Sequence, residues 1–247
     1  MKKLIFFLPL IFLLSCGEEE TSHEPIALTL TFDHLVGSET LALNTGRYTN
    51  AEGEVYSIQK FQYYISNVRL RNTRSGEVYT ENDSYHLIST ADGSAFSVEL
   101  EELPSGEFNQ LEFAIGVDNA SNTSTDKLGD LDPSNDMAWD WNTGYKFVSL
   151  EGLYYPESGD NQALVYHIGG DINYRVLTFA LSEGTQQVLN LSPGKSVEIN
   201  LNVDIAQMFQ TPNQVSFTEH AVVMFDPFSQ KVADNYASDM FTIETIE

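Results

Sequence analysis

Residues Ile26-Ala-Leu-Thr-Leu-Thr-Phe32 alternate between apolar and smaller or polar side chains. In an extended chain this places Ile26, Leu28, Leu30 and Phe32 on one face, whereas a helix would scatter them. The same two-residue period, or a short β-rich run between turn residues, recurs at 56–71, 78–79, 85–88, 95–100, 110–117, 146–151, 163–168, 174–181, 187–191 and 196–203. Turn chemistry separates them, as in Asn72-Thr-Arg-Ser-Gly76 and Pro104-Ser105-Gly106. Helix is scarce: one or two turns over 204–209 with Asp204 as N-cap, and a second candidate over 230–239 after Pro227. Many short strands with turns between them predict an all-β fold. The expected architecture is one antiparallel β-sandwich, of jelly-roll or immunoglobulin-like kind, with long loops and little helix. The longest loop, 118–138, exceeds a plain connection, and loops of that size in compact domains are usually functional.

The N-terminus predicts export. Lys2 and Lys3 precede an apolar run over 4–14 that falls short of the roughly 20 residues a membrane span needs, so it reads as a secretory signal. Leu13-Leu14-Ser15-Cys16-Gly17 resembles a bacterial lipobox, which implies cleavage after residue 15 and lipidation of Cys16. The expected organisation is a signal peptide at 1–15, an acidic flexible tether at 16–25 and a β-sandwich domain at 26–247. Such a protein would be a cell-envelope lipoprotein anchored to the outer membrane, on its periplasmic face or at the cell surface. Glu18-Glu19-Glu20 resembles the acidic export signal of Bacteroidetes surface lipoproteins. Cys16 is the single cysteine, so no intramolecular disulfide can form. With 36 acidic against 12 basic residues, the net charge of −24 disfavours nucleic acid and anionic headgroups and favours cations or basic partners.

Both tryptophans, Trp139 and Trp141, fall in one three-residue stretch. Two indoles at i and i+2 of a strand share a face. They fit a core feature, an aromatic carbohydrate platform with Tyr154 and Tyr155, or part of a ligand site. Of the five histidines, none lies in a close-spaced metal motif, so any imidazole site must be assembled from distant strands. His167, in Tyr166-His-Ile-Gly-Gly170, and His34, at the end of the first strand, are the candidates. Asp130, Asp132, Ser134 and Asp136 have the oxygen spacing of a calcium loop, but Pro133 and Trp141 at the twelfth position break the EF-hand pattern. No GxSxG or phosphate-binding glycine loop is present. An enzyme is not expected.

Met137-Ala-Trp-Asp-Trp-Asn-Thr-Gly-Tyr-Lys-Phe147, followed by Leu150-Glu151-Gly152, resembles the signature of MbnP-like copper-binding proteins of methanobactin operons. The same order holds for residues 61–70, Leu103-Pro-Ser-Gly-Glu-Phe108, Phe113-Ala-Ile-Gly-Val-Asp118, Tyr166-His-Ile-Gly-Gly170 and Val232-Ala-Asp-Asn-Tyr-Ala237. The resemblance implies a secreted β-rich protein that binds copper. It also implies a tryptophan oxidised to kynurenine by a di-haem partner of the cytochrome c peroxidase type (MbnH-type). Carried onto this chain, the tryptophan is Trp139 or Trp141, the imidazole is His167, and His34 is the candidate second imidazole. No Met-rich or cysteine-containing copper motif is present, so a blue-copper electron-transfer site is not expected.

Overall fold

The computed structural model describes residues 24–91, 95–124, 127–139, 144–182 and 188–247. Cys16 and Trp141 therefore lie outside the described residues, as does His23. The strands that frame the site are, in chain order, β1 (Ala27–Val36), β2 (Val55–Arg71), β3 (Tyr85–Ser89), β4 (Ala95–Leu100), β5 (Gln110–Ile115), β6 (Lys146–Tyr155), β7 (Gln162–Gly169), β8 (Arg175–Ala180), β9 (Ser196–Asp204), β10 (Val222–Met224) and β11 (Phe241–Ile246). One five-stranded sheet has the order β11–β9–β1–β4, with Glu39–Thr40 on the edge of β1. A nine-stranded sheet has the order β8–β5–β2–β6–β7–β10, and β3 and two shorter strands also pair with β2. The all-β, sandwich-like expectation holds. The ladders are not wholly antiparallel, however, because β1 pairs with β9 and β7 with β10 in parallel. Parallel neighbours need long crossover connections, and such pairing leaves no mark in either strand's own sequence.

Alternation sets the core. Leu28, Leu30 and Phe32 of β1 are fully buried between the sheets, and the Phe32 ring packs edge-on against Tyr63 of β2 and Phe113 of β5 at 6.4 and 6.1 Å. Asp204 ends β9 and accepts from Ala206 N at 3.1 Å, which starts the 3₁₀ helix Ile205–Phe209. The 230–239 helix candidate is observed as α1 (Ser229–Ser238), which buries Val232, Ala233 and Tyr236.

A smaller apolar cluster lies apart from the main core and comprises Tyr64, Val117, Leu131, Met137, Tyr145 and Phe147. It explains why four consecutive residues of β6, Phe147 to Leu150, are all buried. Val148 and Leu150 enter the sandwich, while Phe147 and Ser149 point to the outer face and are covered by the 116–145 connection. Gly116 admits that packing: it sits at φ +113°, and an added Cβ would lie 2.5 Å from the Phe147 ring. Gly116→Ala is expected to lower stability by about 1–3 kcal/mol through overpacking alone. A shift in the urea midpoint would measure it, and an unchanged midpoint would contradict this account of the cluster.

Candidate functional site

The 116–145 connection folds back over the outer face of the nine-stranded sheet. Asp118 caps its first helical turn, Asn119–Asn122, and Pro133 opens the 3₁₀ turn Pro133–Asn135. Tyr64 donates its hydroxyl to Asp130 O, and Tyr145 donates to Leu131 O, both at 2.7 Å. The first bond ties the loop to the sheet from below, and the second holds its two arms together. The loop rejoins β6 through an antiparallel bridge between Ala138 and Tyr145, with Trp139 N donating to Gly144 O at 3.1 Å. Trp139 is thereby pressed onto the sheet and is only 7% exposed.

Its neighbours come from β6, β7 and the residue after β10. The indole meets the His167 ring edge-on at 6.2 Å and the Phe225 ring at 4.4 Å, and Lys146 Nζ lies 5.9 Å from it. Gly169 makes room, because a Cβ there would stand 2.4 Å from Tyr145 O and 3.0 Å from the indole nitrogen. Gly169 thus allows the close approach, while Gly170, at φ +86°, turns the chain.

Below the indole, register aligns a row of side chains across the sheet. Gln62 of β2 pairs with Ser149 of β6, Ser149 with His167 of β7, and His167 with Met224 of β10. Register partners on adjacent strands project from the same face. His167 Nε2 is 2.9 Å from Glu151 Oε1. A carboxylate can only accept, so Nε2 carries the hydrogen and the neutral ring keeps its lone pair on Nδ1. Burial holds the His167 pKa below its ordinary 6.5; the Glu151 bond opposes the shift, and Lys146 and Lys60 add to it. We therefore treat His167–Glu151 as a hydrogen bond to neutral imidazole rather than an ion pair. Two oxygens of the row, Ser149 Oγ and Gln62 Oε1, are buried without a hydrogen-bond partner. Each such group costs on the order of 1–3 kcal/mol.

The residues that the sequence singled out are divided by the fold. Trp139 and His167 meet. His34 does not join them: its ring is 1% exposed, on the inner face of β1, with Nε2 3.2 Å from Tyr63 Oη and the Phe61 ring 5.9 Å away. The nine-stranded sheet separates it from His167, so the expected convergence of two imidazoles beside an indole is corrected to one. His86 bonds to Glu81 at 2.9 Å and His220 stacks on Phe228 at 3.7 Å, both away from the row. The calcium reading fails on partners. Asp130 accepts from Leu87 N at 2.8 Å, Asp132 caps Ser134 N at 2.8 Å, and Asp136 binds Lys60 at 2.7 Å. Among the described residues, no three His, Cys, Asp or Glu side chains form a metal-holding group. Of the carbohydrate platform, Trp139 and Tyr154 are far apart, and Trp141 lies outside the described residues. Tyr154 is buried against Phe217 near the far end of β6, about 30 Å along the strand from Tyr145 at roughly 3.3 Å per residue.

Glu151, Ser149 and Gln62 were not marked by sequence as site residues. Their signal is parity: each occupies an outward position of a strand whose alternate residues enter the core.

A family model described as MbnP matches residues 25–225. Among solved structures, MbnP from Methylosinus trichosporium is similar with a TM-score of 0.55 at 13% identity, covering 88% of this chain and 97% of that one. At that identity the likeness is one of fold. No curated protein matches the chain.

Proposed function

The chain belongs to the MbnP family, and on that premise we propose that it is an exported lipoprotein that binds copper beside Trp139 and His167. The observation that carries this reading is the meeting, on one outer sheet face, of an indole, a half-buried imidazole whose Nδ1 keeps its lone pair and a carboxylate that orients it. Imidazole suits copper, and a carboxylate on the second ring nitrogen fixes the tautomer and strengthens the ligand. The orphaned oxygens of Ser149 and Gln62 fit a polar guest at this place.

An intact indole offers an N–H donor and no in-plane lone pair, so Trp139 becomes a ligand only if its ring is opened. Oxidation to kynurenine by a di-haem partner of the cytochrome c peroxidase type would provide an aniline nitrogen and a carbonyl. The acidic surface raises the local cation concentration and favours docking of a basic partner. The protein holds the metal rather than turning over a substrate, and the Cys16 lipid anchor keeps it at the outer membrane.

The test is equilibrium dialysis against copper of the full chain, produced with and without a di-haem partner, followed by peptide mass mapping. Stoichiometric copper, and a Trp139 peptide heavier by the tryptophan-to-kynurenine difference in the co-produced sample, are expected. No retained copper in either sample would overturn the reading. An unaltered Trp139 peptide in a copper-loaded sample would remove the modification alone.

A further inference from the structure

We propose that Met224 contributes a thioether donor to the metal site beside His167; the inference rests on the copper reading above. Met224 is the register partner of His167 on the neighbouring parallel strand, where backbones lie about 4.8 Å apart. Val223, the preceding residue, is 1% exposed and belongs to the sandwich core. Strand alternation therefore turns Met224 to the outer face, the face that carries His167, and its 43% exposure agrees.

The next residue supplies an independent observation. Continued alternation would send Phe225 back toward the core. Phe225 instead adopts φ +48°, a left-handed conformation unfavourable for a bulky side chain. Its ring, 45% exposed, lies 4.4 Å from the Trp139 indole. Strain of this kind is kept where the surroundings impose it, and it clusters at ligand sites. The result is that two consecutive side chains, Met224 and Phe225, flank the Trp139–His167 pair at the mouth of the site.

The donor chemistry points the same way. His167 is the one nitrogen ligand of the row Gln62–Ser149–His167–Met224, and Glu151, two residues beyond Ser149 on β6, is engaged on its imidazole. Addition of a thioether gives a mixed nitrogen–sulfur set, and soft sulfur selects copper(I) over copper(II) and over hard cations. The only other sulfur ligand type in the chain, Cys16, belongs to the lipid anchor in this reading. Sequence alone does not mark Met224: the nearest histidine, His220, is four residues before it and stacks on Phe228 instead. Parallel pairing brings it to His167 from more than fifty residues away.

The experiment compares the full chain with its Met224→Leu variant, both prepared as in the dialysis above. Copper(I) affinity is measured by competition with bicinchoninate, copper(II) affinity by competition with a separate chelator, and X-ray absorption is recorded on the copper(I) forms. Leucine keeps the apolar volume, and unchanged far-UV circular dichroism confirms the fold. Copper(I) affinity is expected to fall by about tenfold or more, within the range for lost metal-site partners. Copper(II) affinity should change little, and a sulfur scatterer should be present in the wild type and missing in the variant. If the wild type binds copper but the variant matches it in copper(I) affinity with no sulfur scatterer in either, Met224 merely packs on the aromatic rim and the inference is overturned. A wild type that takes up no copper overturns the copper reading itself, and this inference with it.

Discussion

Replacement of His167 by alanine is expected to remove most copper binding while leaving the fold intact. His167 projects from the outer face of β7, opposite to Tyr166 and Ile168, which hold the core. Its loss therefore opens no gap in the sandwich. Loss of an outer-shell partner alone costs about 10–100-fold in metal affinity, so loss of the ligand itself should cost about 100-fold or more. Glu151→Gln should fall between the two proteins, because the amide still reaches Nε2 but no longer fixes the tautomer. Equal affinities in wild type and His167→Ala, measured by competitive chelation with matched circular dichroism spectra, would move the site elsewhere on the molecule.

The same residue sets the pH dependence. Burial lowers the His167 pKa below 6.5, so the unfolded chain takes up the proton before the folded one does. The contribution of His167 to stability is therefore complete above the unfolded value and is lost as pH falls toward the folded one. Copper affinity should follow the same course, level above about pH 6.5 and declining below it as protons compete for Nδ1. The decline should vanish in His167→Ala, in whatever binding that variant retains.

Parity explains how much of this was legible in sequence. His34 shares its even-numbered register with Leu28, Leu30 and Phe32, the residues that alternation already assigned to the core, and the structure finds it there. His167 is out of phase with Leu164, Tyr166 and Ile168, so its strand alone places it on the other face. Most of the longer strands, the Asp204 cap and the late helix were similarly local, and local pattern was enough to read them, but the strands Val222–Met224 and Phe241–Ile246 were not read. The β7–β10 pairing was not local. Without it, Met224 is an isolated methionine and Phe225 an ordinary aromatic. The acidic run 130–136 misled for a related reason. Its carboxylates cap short turns and bind Lys60, partners that the run itself does not contain.

Phe147→Ala is the substitution expected to cost most in stability, and it also tests whether the site depends on the loop above it. Phe147 is fully buried in the outer cluster with Tyr64, Met137 and Tyr145, and its ring occupies the space that Gly116 leaves free. Truncation of a buried phenylalanine typically costs about 3–5 kcal/mol. Here the cluster is also what presses residues 137–139 onto the sheet, since Lys146 N donates to Met137 O at 2.7 Å immediately before Phe147. The cavity should therefore loosen Trp139, with weaker copper binding and, in a Trp141→Phe background, a red-shifted tryptophan emission even below the unfolding transition. Val148→Ala provides the contrast, because Val148 is the next residue on the same strand but faces the main core. It should lower the urea midpoint without moving the emission maximum. If both variants shift the emission alike, the indole responds to global stability and the outer cluster has no separate hold on the site. If only Phe147→Ala does, the second core exists to position Trp139 over His167.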